Sequence, residues 1–421
     1  MSPLTMVGVL ACAGILGKAI ADATRRGSAA WLVPAVVVLI ALLTVTTSPG
    51  SPTNPAAATS GGVNLVLGRS GLGLLAAAAM AIAFTLVLAP IRDGGELLVA
   101  CVVGAASTAV LSATVPLIWG LAAAVAAGAL AVRWIAVAPG PATLAAGRIG
   151  GVGAGCLLGA AAFIPPAGGV YEPRAVLSGA VLAVGMCCLL GLVPFGGWAA
   201  GTAGLVRGAD FAPWGLLFAP AMLVSAMNLA PHLVLGGEIP FNNTLLVFGL
   251  VTMIMSGVAA VRAPDDARYS RLLIADLAFA AAGVGTTHPQ GRTGAFIIVL
   301  THLCIGPLLL NSSRAGLHVQ RSLAWLSVSG VPPTPAFWGR YLVLIGCTAT
   351  APAAMAAGLT GGTVLFLVAL EGTVRAHRHA DARAGEPTPT RLQRGAAWAV
   401  AGVAIVIGLA PAVAAHGVFG I

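Results

Sequence analysis

Four ionisable side chains fall inside otherwise apolar stretches of the chain: Asp276, His302, Arg340 and Glu371. Within a membrane such groups are rare and costly, and by default they mark a path for protons or ions, or a seat for a partner's charge. Each also has a plainer reading. Asp276 is expected to pair with Arg271 near the cytoplasmic end of its helix. His302 can hydrogen-bond a backbone carbonyl or serve as a protonatable group. Arg340 either snorkels to the surface or pairs with an acid. Glu371 has Arg375 four residues on, the spacing of a helical ion pair.

The elements that must position these residues follow from composition. Of 421 residues, 58% are hydrophobic and 8% are charged, whereas soluble domains carry about 25% charged residues. Apolar runs of about 17 to 25 residues recur, the length a helix needs to cross the hydrocarbon core. They predict about fourteen transmembrane helices at 4–22, 30–48, 71–90, 96–113, 114–132, 149–165, 175–195, 212–235, 243–262, 271–287, 293–311, 321–346, 354–374 and 396–417. The fold class is all-α integral membrane, as a single polytopic domain over 1–421. Two stretches read as loops, Thr46–Gly62 and His377–Arg394, and neither is long enough to form a domain.

Net charge is +9, but the positive residues sit in short loops, so the surplus reads as topology and not as nucleic-acid binding. Sixteen of the twenty arginines fall on one side of the predicted spans, among them Arg133, Arg207, Arg268, Arg321 and Arg375. The positive-inside rule places that side in the cytoplasm and both termini outside, in the cell inner (plasma) membrane. Trp31, Trp134, Trp198, Trp214 and Trp398 lie near span ends, where an interfacial belt is expected. The first apolar run precedes its charges instead of following them, so it is expected to stay as a helix and not to be cleaved. All seven cysteines fall in apolar spans without metal or redox spacing, and read as small core residues. No catalytic, cofactor-binding or metal-binding pattern is present; Gly153–Gly159 is small-residue helix packing.

Prolines interrupt two regions, Val193–Phe195 followed by a span opening at Ala212–Trp214, and Gly330–Pro335. Pro332 and Pro333 each remove a backbone donor, so the helix must break there, and Pro213 predicts a second broken helix. Non-helical backbone at membrane depth is tolerated only against protein or a wet cavity. Paired breaks suggest two halves of about five helices each.

The run Leu326–Leu344 reads Leu-Ser-Val-Ser-Gly-Val-Pro-Pro-Thr-Pro-Ala-Phe-Trp-Gly-Arg-Tyr-Leu-Val-Leu. With His302 in the preceding helix, Arg271–Ala275 before that, and Val193–Trp198 upstream, it resembles the proton-conducting antiporter-like subunits shared by respiratory complex I, membrane-bound hydrogenases and multisubunit Na+/H+ antiporters. The resemblance implies an antiporter-like core over about 96–375, other membrane subunits and the lipid bilayer as partners, and a transport path at the breaks. His302, Glu371, Asp276 and Arg340 are then the candidates for a proton or ion pathway, with Pro213, Pro332 and Pro333 at the broken helices.

The sequence also departs from that family. Its members use buried Lys and Glu, and the matching positions here hold Gly120, Leu223, Ser270 and Gly306. The chain has one lysine, Lys18. The expectation is a membrane-arm subunit of a complex I-like or hydrogenase-type oxidoreductase with proton translocation weakened or lost. A subunit of a cation/proton antiporter, or a purely structural membrane partner, are the alternatives.

Overall fold

The computed structural model describes residues 3–24, 56–60, 63–67, 69–88, 93–113, 116–162, 173–229, 233, 236–311, 317–378 and 388–410. Its helices, in chain order, are α1 (Pro3–Thr24), α2 (Arg69–Leu88), α3 (Gly94–Ser112), α4 (Pro116–Val137), α5 (Pro141–Ala162), α6 (Pro173–Leu190), α7 (Gly197–Ala203) and α8 (Gly208–Pro213). A π-turn at Trp214–Phe218 leads into α9 (Ala219–Leu229). The series continues with α10 (Glu238–Val261), α11 (Asp265–Gly285), α12 (Pro289–Leu310), α13 (His318–Ser329), α14 (Pro335–Thr350), α15 (Pro352–Arg378) and α16 (Arg391–Leu409).

Proline places many of the starts: α4, α5, α6, α12, α14 and α15 all open on it. At the first helical position its missing N–H costs nothing and its fixed φ suits the helix. Side-chain caps set others. Asp93 accepts from the Glu96 amide ahead of α3, and Thr390 with Gln393 forms a reciprocal capping box ahead of α16.

Among the described residues nine helical stretches are long and apolar enough to cross a membrane, with α8, the π-turn and α9 counted as one. Helices α1, α2 and α11 and the α13–α14 pair lie over four further predicted runs, so helices cover thirteen of the fourteen. The remaining run, 30–48, lies outside the described residues, as do Trp31 and both chain ends. Part of the predicted Thr46–Gly62 loop is a strand: β1 (Ala56–Ser60) pairs antiparallel with β2 (Val63–Leu67), Ala56 opposite Leu67. Among the described residues the other elements are all helical.

Both predicted interruptions are present. Near Pro213 the helix widens into the π-turn instead of unwinding, as suits a proline that withholds one helical hydrogen bond. At Pro332–Pro333 the chain leaves helical geometry between Ser329 and Pro335, and α14 begins anew with Trp338 and Arg340 on it. A further break, 191–196, separates α6 from the short α7. Helix α10 packs against α6 and against α11 and α15, and a cavity lined by Ser329, Gly330, Phe337, Arg340 and Tyr341 borders the α13–α14 break.

Candidate functional site

At the α13–α14 break, α13 must end because neither Pro332 nor Pro333 can donate a helical hydrogen bond. Gly330 turns the chain with a left-handed φ of 81°, a conformation glycine adopts without steric cost. The last carbonyls of a helix have no partner within it. Here the Ser329 carbonyl accepts from Arg340 Nη1 at 3.1 Å. Trp338 on the same new helix donates its indole N–H to the Gly408 carbonyl, tying α16 to the break.

The guanidinium that closes the break is buried, at 6% exposure, and needs a counter-charge. Asp276 on α11 supplies it through a two-pronged contact: Arg340 Nε donates to Oδ1 at 3.0 Å and Nη2 to Oδ2 at 2.8 Å. His302 on α12 lies 3.0 Å from the same carboxylate through Nε2, and its Nδ1 lies 3.1 Å from the Tyr269 hydroxyl. One tautomer satisfies all of these: Nε2–H donates to Asp276, leaving Nδ1 to accept from Tyr269. The result is one connected row, Tyr269, His302, Asp276, Arg340 and the Ser329 carbonyl, with Tyr269, His302 and Asp276 each 1% exposed.

Three of the four sequence-predicted candidates thus meet in one place, and the expected Asp276–Arg271 pair does not form. Arg271 donates instead to the Ala259 carbonyl of α10. Glu371 is elsewhere. It pairs with Arg375 at 3.0 and 2.5 Å, the i,i+4 contact expected from spacing, and lies 3.4 Å from Arg268. Tyr269 was not anticipated. Its signal was available, because it stands seven residues before Asp276 on α11, two turns away on the same face.

Among the described residues the first half contains no such row at membrane depth. Gly120 packs so closely on α5 that a Cβ there would lie 2.9 Å from the Leu158 backbone nitrogen, and Leu223 is fully buried among apolar neighbours. The break between α6 and α7 is closed by neutral donors: Trp198 Nε1 to the Cys188 carbonyl and Trp214 Nε1 to the Leu189 carbonyl, both at 3.1 Å. Thr252 Oγ1 accepts from the Val193 amide at 2.7 Å. Trp134, Trp198, Trp214 and Phe211 stack with ring centres 5.1 to 6.3 Å apart. Trp134, Trp198 and Trp214 are therefore protein-facing and not an interfacial belt; Trp398, at 51% exposure, remains outward.

Charges in the first half gather at helix ends. Arg133 at the end of α4 contacts Asp210 at 2.8 Å, Asp93 at 2.9 Å and Glu96 at 3.4 Å, and Arg207 reaches Glu96 at 2.7 Å. Burial alone would raise the Asp93 carboxyl, but the hydrogen bond and charge of Arg133 outweigh it and hold it below the usual carboxylate range. These contacts draw together the ends that the arginine distribution assigns to one side.

No protein-family model matches the sequence, and no curated protein does. Solved structures match across nearly the whole chain. A chain of the membrane-bound sulfane sulfur reductase, an archaeal respiratory membrane complex, superposes with a TM-score of 0.81 at 16% identity, over 96% of this chain and 76% of that one. A chain of respiratory complex I from Thermus thermophilus gives a TM-score of 0.83 at 15% identity, covering 98% and 97%. A chain of the Mrp complex from a Dietzia species gives 0.81 at 17% identity; it covers all of this chain, which spans 52% of that one. The chain thus shares its fold with these chains of respiratory and Mrp membrane complexes.

Proposed function

We propose that this chain is a membrane-arm, antiporter-like subunit of a complex I-like assembly, of the NADH:quinone oxidoreductase or hydrogenase type, and that it packs and anchors neighbouring subunits without translocating protons itself. The observation that carries this reading is the Arg340–Asp276 pair. The buried row Tyr269–His302–Asp276 ends on a guanidinium, which keeps its proton in proteins, so that row has no group at that end able to pass a proton on. In the first half the family's acidic and lysine positions are taken by a close-packed glycine and a buried leucine. The likeness to the complex I chain over both full lengths favours this assembly. The likeness to the Mrp chain supports the second reading, a subunit of a cation/proton antiporter. The arginine-rich ends face the cytoplasm of the plasma membrane and both termini face outward.

Reconstitution into liposomes with an internal pH dye and an imposed membrane potential tests the central claim. Acidification equal to that of empty liposomes is expected for the wild type, Glu371→Gln and Asp276→Asn. Fast acidification that either substitution removes would overturn it. Purification in mild detergent separates the two assemblies, since a quinone-reducing or hydrogenase-like core should co-elute in the first and only membrane subunits in the second. A cysteine placed at Thr388 should label only from inside; labelling in intact cells would reverse the orientation.

A further inference from the structure

Beside the α13–α14 break, between α14 and the middle of α15, lies a cavity of about 260 Å³. Its lining on α15, Leu359 to Phe366, lies about 10 to 20 Å along a helix about 40 Å long at 1.5 Å per residue. That is the middle of the bilayer. Three features of the sequence hollow it out. The prolines hold the chain out of helical geometry between Ser329 and Pro335. Gly330 puts no side chain over Arg340, whose Nη1 would lie 3.0 Å from a Cβ there, and around Gly362 no atom stands within 4 Å of the place a Cβ would take. Tyr341 and Leu359 are about half exposed, so the mouth opens sideways into the hydrocarbon layer and not toward water.

The walls combine two chemistries. Phe337 and Tyr341, one turn apart on α14, stack with planes 9° apart and centroids 5.8 Å apart, and Phe366 adds a ring from α15. Arg340 supplies the polar part. A guanidinium has five N–H groups, and here two go to Asp276 and one to the Ser329 carbonyl. The other two have no acceptor among the described residues, and neither does the hydroxyl of Tyr341, the next residue. The charge of Arg340 is already met by Asp276, so an anion would add an unbalanced charge to a buried neutral pair, at a high desolvation cost. A neutral carbonyl oxygen fills the spare donors without that cost. A cavity of about 150 Å³ holds one benzene ring, so this larger one has room for a single ring with small substituents.

We propose that this cavity binds a lipid-soluble aromatic carbonyl compound, with the chemistry of a quinone head. A carbonyl oxygen accepts from Arg340 and the Tyr341 hydroxyl, the ring lies among Phe337, Tyr341 and Phe366, and an alkyl tail leaves past Leu359. The site is one of binding, and it does not depend on whether the buried row moves protons.

The test is scintillation-proximity binding of a tritiated decyl benzoquinone to the purified full chain in lipid nanodiscs, beside empty nanodiscs. One saturable site per chain is expected, absent from the empty discs. Unlabelled dodecylbenzene, which has the ring and tail but no acceptor, should compete at least about tenfold less well than the unlabelled quinone. Gly362→Phe fills the cavity from a position with open space around it, so the chain should fold and binding should be lost. Tyr341→Phe keeps the ring and removes one neutral donor, and should weaken binding about fivefold. Gly128→Phe, at an equally open glycine of α4, should change neither. Thermal unfolding of each variant without ligand guards against loss of fold, and Tyr341→Phe carries the test if Gly362→Phe does not fold. Dodecylbenzene that competes as well as the quinone would make the cavity a seat for a bare acyl chain and overturn the proposal. So would binding that a folded Gly362→Phe chain retains, binding indifferent to Tyr341→Phe, or none above the empty discs.

Discussion

The two helix breaks solve one problem in two ways. Each leaves terminal carbonyls of a helix within the bundle, where an unmet acceptor is expensive. At the α6–α7 break the donors are the neutral indoles of Trp198 and Trp214. At the α13–α14 break the donor is the guanidinium of Arg340. A neutral donor asks nothing further of its surroundings, so the first break is wrapped in aromatic rings. A charged donor must be neutralised, so Arg340 requires Asp276, and the remaining capacity of that carboxylate brings His302 and then Tyr269. The buried ionisable residues of the second half are thus a consequence of how its break is capped. Among the described residues of the first half, charge gathers at helix ends around Arg133, where Asp93 is exposed while Glu96 and Asp210 are buried.

The contrast breaks or sharpens under substitution, and the largest effect is expected at Arg340. Arg340→Met removes one member of a buried pair and should destabilise the chain by about 3–5 kcal/mol. Adding Asp276→Asn should return much of that loss, because the two residues are directly coupled. Unfolding followed in detergent would read both. If the double variant is no better than the single, Arg340 acts through the Ser329 carbonyl alone and the charge argument fails.

At the first break Trp214→Phe leaves the Leu189 carbonyl without its donor at little cost in shape. About 1–3 kcal/mol is expected, with no rescue available from any second charge substitution. A loss as large as that of Arg340→Met would erase the difference between a neutral and a charged cap. Tyr269→Phe comes next. It removes one neutral hydrogen bond at the far end of the row and should cost about 1 kcal/mol; a greater loss would mean that the tyrosine organises the pair instead of following it.

The smallest effect is expected at the exposed end of the first-half charge cluster. Asp93 is held below its ordinary range in the folded chain, so its contribution is present above the unfolded value and disappears as pH falls through the folded one. Asp93→Asn should therefore weaken the chain slightly at neutral pH, with the difference closing below about pH 4. A difference that persists in acid would show that packing, and not the Arg133 contact, is what the carboxylate provides.

The sequence by itself determined the periodic spans, the proline-forced break at Pro332–Pro333 and the lack of any lysine relay. It also determined the Glu371–Arg375 pair, since four residues on one helix bring two side chains together whatever lies around them. Asp276 shows where that local logic stops. Arg271 is five residues away, about 140° around the helix axis, so the nearer cation in sequence points to α10 while Arg340, 64 residues on, meets the carboxylate. Likewise, a tryptophan at a span end satisfies lipid or protein equally well by sequence. Only the packing of α4, α7 and the π-turn against one another turned Trp134, Trp198 and Trp214 inward, because which face of an apolar helix meets protein is settled by its neighbours and not by its own residues.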